Sequence, residues 1–395
     1  MANQKLAILG VTDLEYDGGG ERNAVQFANV ASRLGYDVTI YGGGCYFERS
    51  KVVNLVNAKY IRNAFSFDFF ARKSIIRLTR GISIGLVGLF GFGRIWNIVS
   101  SHDVYYFQNP NFMFKRFIES SRKQGKSPLI ILANHGTYFE ILSSPGLRIL
   151  SWAESAISRI IFKEVPRDIE VQAQNAFQYE FYKGKDFRNV KIVPQCQVDF
   201  RSYRVSEDGK FNVVFLNKLT GNKGVDLLVK ILESANPDVT YHIIGFGNID
   251  RLRKRVRNDN VIFYGQVDEK KKEDILSRGD LMINCSRYES LSISSVEGLA
   301  SGLPIVGPDI SGMKYIKELM GENVVIIKRD VGEYLKAIEM FHRMKADDPV
   351  SYYTNRVHIR EKAYEKFDVS VIEKLLEDLL HSVPRGTVSE SDTQQ

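Results

Sequence analysis

Cysteine is scarce in this chain. The three among its 395 residues, Cys45, Cys196 and Cys285, stand far apart without metal-ligand spacing. A disulfide framework or a zinc module is therefore not expected, and a reducing compartment fits best. Long apolar runs are missing too. The longest, ISIGLVGLFGFG at residues 82–93, is diluted by glycine and falls short of the about 20 residues that span a bilayer. The opening MANQKLAILGV lacks the charged-then-apolar pattern of a secretion signal, since a strand-like run begins at once. The nicotinamide-binding pattern G-x-G-x-x-G is absent after that first run, where Gly18-Gly19-Gly20 stands instead. Acids are outnumbered, giving a formal net charge of +7. A polyanion is thus a plausible partner, whether an anionic membrane surface, a phosphorylated substrate or a nucleic acid.

What is present is a normal globular balance, with 44% hydrophobic and 26% charged residues. The length exceeds one ordinary core and predicts two domains. KLAILGV (Lys5 to Val11) reads as a buried strand, followed by a Gly-rich turn, a helix from Glu21 to about Leu34 and a second strand in DVTIYGGG. That order predicts a right-handed βαβ unit facing a ligand. Further strands are expected at 127–133 and 189–194. The polar segment 205–211 reads as a linker, after which the rhythm restarts with strands in NVVFLNK, VTYHIIG, VIFYG, LMINC and VVIIK and helices at 225–234 and 269–277. Strands alternating with helices predict parallel, doubly wound sheets. The expected organisation is α/β: a Rossmann-like domain over 1–204, the linker, a second Rossmann-like domain over 212–350, a helical segment over 351–383 packing back on the fold, and a disordered tail over 384–395.

Three motifs carry chemistry. The glycines at 18–20 could let helix N–H groups approach a phosphate, or could simply make a flexible turn. Lys218 and Lys223 flank TGNKG between a strand and a helix. Both can point to the carboxyl end of the sheet, where such folds bind ligands, although solvated surface lysines would look the same. RYESLSISSVEGLASGLPIVG, from Arg287 to Gly307, places Glu289 and Glu297 with seven residues between them. The plain reading of Ser294-x-x-Glu297 is a capping box. The functional reading sets one carboxylate toward sugar hydroxyls and the other toward ribose hydroxyls, roughly 12 Å apart if the stretch were fully helical. The helix N-terminus between them would face a diphosphate.

This last stretch resembles the family-4 (group 1) retaining glycosyltransferases, whose mark is Glu, seven residues, Glu. Other elements resemble the family's in order: Gly18-Gly-Gly-Glu-Arg22, Asn134-His135-Gly136, Ile192 to Asp199, Asn217-Lys218 with Lys223-Gly224, Gly245-Phe-Gly247, Gly265-Gln-Val267 and Ile310-Ser-Gly312. The resemblance implies the GT-B architecture of two facing Rossmann-like domains, with the acceptor bound by the first and a nucleotide sugar by the second. It implies that Glu297 binds the ribose, Glu289 the donor sugar, and Lys218 and Lys223 the diphosphate. Gly19, Gly20, Gly247, Ser292 and Ile293 would line the donor site, and His135 would lie at the reaction centre. No cofactor or metal is expected, and no Asp-x-Asp occurs. Two departures stand out: lysine replaces the family's arginine at Lys218, and serines replace its glycines at Ser290 and Ser292.

Between Ala58 and Arg80 six cations and one acid alternate with five aromatic residues. A helix here would put Lys73, Arg77 and Arg80 on one face and Ile75, Leu78 and Ile82 on the other. Such a helix suits peripheral docking on an anionic membrane, or ordinary packing on a sheet; nucleic acid is the less favoured partner because no known nucleic-acid module accompanies it. The resulting expectation is a cytoplasmic glycosyltransferase, peripheral at the inner face of the cell membrane, acting on a glycan or lipid-linked acceptor. A nucleotide-sugar epimerase or hydrolase on the same fold stays open, distinguished by turnover without acceptor. So does a non-catalytic sugar- or nucleic-acid-binding protein, distinguished by binding without turnover.

Overall fold

The computed structural model describes residues 4–11, 19–42, 57–61, 96, 100–108, 112–133 and 159–382. These build two all-parallel sheets. The first has seven strands: β1 (Lys5–Val11), β2 (Asp37–Gly42), β3 (Lys59–Ile61), β4 (Val104–Phe107), β5 (Leu129–Ala133), β6 (Glu170–Ala173) and β7 (Asn189–Ile192), in the order β3-β2-β1-β4-β5-β6-β7. The second has six: β8 (Phe211–Leu216), β9 (Val239–Ile244), β10 (Val261–Gly265), β11 (Leu281–Ile283), β12 (Ile305–Pro308) and β13 (Val324–Ile327), in the order β10-β9-β8-β11-β12-β13. The doubly wound α/β expectation holds in both. Each order reverses once, between β1 and β4 and between β8 and β11. A ligand crevice in such sheets opens at the carboxyl ends of the strands flanking that reversal.

Alternation along β1 shows why helices cover both faces. Leu6 and Ile8 point to one core with α1 (Gly19–Arg33), while Ala7 and Leu9 point to another with Phe114 and Phe117 of α2 (Phe112–Lys123). Helix α3 (Ala176–Lys183) adds Tyr182 to the second core. In the second sheet, Val213 and Phe215 of β8 meet α4 (Val225–Glu233), whereas Val214 meets α6 (Glu269–Ser277) and α7 (Ile293–Ala300). Helix α5 (Ile249–Arg255) lies between β9 and β10, and its basic run is a largely exposed surface. Helices α8 (Ser311–Met320) and α9 (Val331–Asp347) complete this layer.

The C-terminal helices return to the first domain. α10 (Pro349–Phe367) buries Arg356, whose guanidinium donates to the carbonyls of Ser206, Ser277 and Ser301 at 2.8, 3.0 and 3.2 Å. α11 (Val369–His381) then closes over α1: Ile372, Leu376, Leu379 and Leu380 are buried in the same core as Ala24, Phe27 and Ala31, and Arg33 pairs with Glu373 at 2.7 Å. Of the basic segment, Lys59 lies in edge strand β3 and pairs with Asp37 at 3.6 Å. Lys73, Arg77 and Arg80 lie outside the described residues, as do His135 and the tail after 382. Among the described residues no helix is long and apolar enough to cross a membrane.

Candidate functional site

The crevice of the second sheet is built by three loops. One follows β8 and carries Asn217, Lys218 and Lys223; one follows β9 and carries Gly245 to Gly247; one follows β11 and runs from Asn284 into α7. Close backbone approach welds the first and third together. Gly224 has φ +74°, and a Cβ there would stand 1.8 Å from the Cys285 carbonyl oxygen. Likewise a Cβ on Gly247 would stand 2.4 Å from Leu219 Cβ, and the Leu219 N–H donates to Phe246 O at 2.8 Å. Gly247 thus presses the second loop onto the first.

At the junction sits Glu289, only 8% exposed. Its Oε1 accepts from Lys223 Nζ at 2.7 Å, Ser286 Oγ at 2.8 Å and Asn217 Nδ2 at 3.4 Å. The sequence offered Lys223 as a phosphate ligand; in this structure it neutralises the buried carboxylate. The Glu289 carbonyl accepts from Gly312 N at 3.0 Å and Ser311 Oγ at 3.2 Å at the start of α8, which fixes the loop from the far side. The first domain holds it as well: Asn175 Nδ2 donates to Ser290 O at 2.7 Å, and Tyr288 packs in the core of the first sheet. Ser290 Oγ lies 2.6 Å from Tyr288 OH. Lys218 is exposed at the lip, its N–H turned to Asn217 Oδ1 at 3.0 Å.

The residue that caps helix α7 is Ser292, not Ser294. Ser292 Oγ accepts from Ser295 N and from Asn284 Nδ2 at 2.8 Å, making Ser292 the N-cap. The capping-box reading of Ser294-x-x-Glu297 is therefore corrected: Glu297 lies beyond the first turn's reach and turns to other partners. Ile293 and Ser294, both partly buried, are the first helical residues, whose N–H groups have no acceptor within the helix. Glu297 Oε1 accepts from Lys272 Nζ at 2.6 Å and Tyr203 OH at 3.1 Å. Lys272 also donates to Glu269 Oε2. Burial pushes the Tyr203 phenol well above its ordinary value, and the charge of Glu297 pushes the same way; it is a fixed donor. Burial opposes the charge on Lys272, but Glu297 and Glu269 outweigh it and hold the ammonium above its usual value.

Sequence reasoning missed Lys272, Tyr203 and Ser286, and named Asn217 only as part of a motif without a role. Lys272 had a signal: it stands three and four residues before Ile275 and Leu276, the buried stripe of α6. In the first domain, Gly19 and Gly20 are the opening residues of α1 rather than a free turn, and Gln108 Nε2, after β4, donates to Gly20 O at 2.8 Å across the first reversal point. Among the described residues no three His, Cys, Asp or Glu side chains gather as a metal-binding group.

Residues 210–343, the strands and loops just described, match the family model of glycosyl transferases group 1. The mannosylfructose-phosphate synthase of Agrobacterium fabrum is 30% identical over 151 residues, covering 31% of this chain and 33% of its own. A GDP-mannose-dependent alpha-mannosyltransferase of Mycobacterium tuberculosis is 27% identical over 165 residues, 42% of this chain and 40% of its own. The chain spans about a third of the length of the first curated relatives it matches. Whole-fold similarity extends further: a sucrose-phosphate synthase structure from Thermosynechococcus elongatus superposes with TM-score 0.72 at 14% identity over 96% of this chain and 99% of that one. Anabaena HepE in complex with UDP-glucose superposes with TM-score 0.68 at 16% identity, over 96% and 100%.

Proposed function

We propose that this chain, a group 1 glycosyltransferase of the GT-B architecture, moves a hexosyl unit from a nucleoside-diphosphate sugar to an acceptor hydroxyl with retention at the anomeric carbon. One observation carries the reading. The buried Glu289, the Lys223 ammonium and the start of α7 converge at the reversal point of the second sheet. A carboxylate beside a cation and a helix N-terminus suits a neutral polyol joined to a diphosphate. Glu289 Oε1 already takes three donors, and no described residue donates to Oε2. That oxygen is the acceptor for donor-sugar hydroxyls.

Glu297 receives the ribose hydroxyls, and Ile293 and Ser294 offer N–H groups to the diphosphate. Lys218 at the lip and Lys223 beneath it balance the charge that grows on the diphosphate as the glycosidic bond breaks, which is where electrostatic catalysis acts. The departing diphosphate oxygen takes the proton of the acceptor hydroxyl on the face where that hydroxyl attacks. Charge balance comes from the lysines and the helix terminus without a metal. Gly19 and Gly20 close over the phosphates from the facing first domain, and the resemblance assigns His135, which lies outside the described residues, to the reaction centre. The acceptor we favour is a glycan precursor on a lipid carrier, reached by peripheral docking of the basic segment containing Lys73, Arg77 and Arg80 on the cytoplasmic face of the membrane. The cationic, aromatic composition of that segment supports this choice.

A panel of UDP-, GDP-, ADP- and dTDP-sugars, read by thermal shift and by hydrolysis, tests the donor reading. One nucleotide class should raise the melting temperature of wild type and leave Glu289→Ala largely unshifted. Absence of any shift with wild type refutes it. Flotation with neutral and anionic vesicles tests the membrane arm, which fails if recovery is equal with both or nil.

A further inference from the structure

We infer that Lys272 and Tyr203 are positioning residues for the nucleotide, setting the Glu297 carboxylate so that its free oxygen reads the ribose diol. The inference rests on the donor reading above. Both groups donate to the same oxygen, Oε1, from different elements: Lys272 from α6 at 2.6 Å and Tyr203 from the connection between the domains at 3.1 Å. No described residue donates to Oε2. Two donors on one oxygen fix both the rotation and the tilt of the carboxylate plane, and the second oxygen is then aimed rather than mobile.

The construction is more than packing requires. Lys272 is 8% exposed and Tyr203 6%. Burying an ammonium costs free energy unless carboxylates receive it, and a leucine would fill a helix face toward this core without that cost. Lys272 is received by Glu297 and by Glu269 on its own helix. Glu273 lies next along α6, and burial, with Glu269 and Glu297 nearby, holds its carboxyl above the ordinary range. With one cation among three acids, the surroundings of Glu297 repel an anion. A phosphate does not belong there, but a neutral diol that donates two hydrogen bonds does. Tyr203 adds a link to domain geometry. The carbonyl of Tyr203 accepts from Arg360 Nη2 of α10 at 3.2 Å, as does that of Phe200 at 2.7 Å, so the C-terminal crossing holds the connection that carries the phenol.

Calorimetric titration of the full chain with UDP, GDP and ADP, each against its 2′-deoxy counterpart, reads the carboxylate directly. Wild type should bind its preferred ribonucleotide about tenfold or more tighter than the deoxy form, the worth of a hydrogen bond to a charged group. Lys272→Met should bring the two within about twofold by weakening only the ribonucleotide, and Lys272→Arg should restore part of the difference. Tyr203→Phe keeps the ring and should lower the ratio by a smaller factor; it decides the matter if Lys272→Met does not fold. Should wild type bind no nucleotide, or bind ribo and deoxy forms alike, the donor reading fails. If wild type discriminates and the folded variants discriminate equally well, the donor reading stands and the positioning role is overturned.

Discussion

Replacing Gly224 by alanine should damage the second domain far more than the same change at a glycine of like backbone. Gly224 has φ +74° and ψ 28°. An L-residue in that left-handed region costs about 1–2 kcal/mol by itself. The added methyl would also meet Cys285 O at 1.8 Å and Cys285 C at 2.5 Å, both backbone atoms. Relief requires the carbonyl to retreat, and that carbonyl accepts from Arg329 Nε and Nη2 at 3.3 Å. Loosening a buried hydrogen bond adds about 1–3 kcal/mol. The total is about 2–5 kcal/mol, or a fall of roughly 4–20 °C for a domain of this size. Gly125, at φ +65° with nothing within 4 Å of where a Cβ would stand, is the control; alanine there carries the backbone cost alone. Scanning calorimetry of both variants gives the comparison. Cys285 leads directly into Ser286 and Glu289, so nucleotide affinity should fall in Gly224→Ala and not in Gly125→Ala. Equal melting shifts in the two proteins would refute the close-approach argument.

Three other outcomes follow from the geometry. Lys218→Ala and Lys223→Ala should each lower kcat by about a hundredfold, the usual effect of removing one electrostatic stabiliser, measured by transfer from the donor that the panel identifies. His242 is held by Tyr264 OH and Asn212 Oδ1 at 2.9 and 3.0 Å, and burial, helped by Arg278, lowers its pKa from 6.5 to about 4. The unfolded chain therefore takes up a proton first as pH falls. Stability is complete above about 6.5 and declines toward 4, by about 2 kcal/mol at pH 4.5; urea midpoints at pH 7.5 and 4.5 should show this slope in wild type and not in His242→Gln. Arg356→Met takes a buried donor from the carbonyls of Ser206, Ser277 and Ser301 and leaves Asp280 with Lys345 as its remaining cation at 2.9 Å, so urea denaturation should register a loss of about 3 kcal/mol.

The second half of the fold was readable because its strands are short apolar runs joined by short turns, and their limits fall within a residue or two of the expected ones. The first half hid β4, β6, α2 and α3. Strand β6 is EVQA, which hydropathy does not mark as buried. Gln172 is nonetheless wholly buried, because its amide donates to Val193 O at 2.9 Å and its oxygen accepts from Tyr106 OH at 2.8 Å. A paired polar side chain costs little to bury, and no window of sequence shows the pairing. Edge strand β3 lay inside a segment read for its charge. At the site, the two glutamates were legible from their spacing, and the capping serine was placed two residues late. Lys272 stands in the charged run EKKKED, where its spacing to Ile275 and Leu276 is the sign that it faces inward, and its partner Glu297 is supplied only by the tertiary fold.

Because α11 seals the face of α1, the first domain is made from segments on both sides of the second, which is inserted between them. A ribosome therefore releases a finished second domain before the first has its last wall. Until α11 emerges, the flank of α1 that meets Ile372, Leu376, Leu379 and Leu380 lacks that cover, while its sheet-facing side is already closed by Phe27 on Tyr106 at 3.8 Å, and a nascent chain at that stage is a natural client for a chaperone. Truncations that spare the second domain but remove α11 should accordingly yield aggregates rather than a weakened, soluble protein.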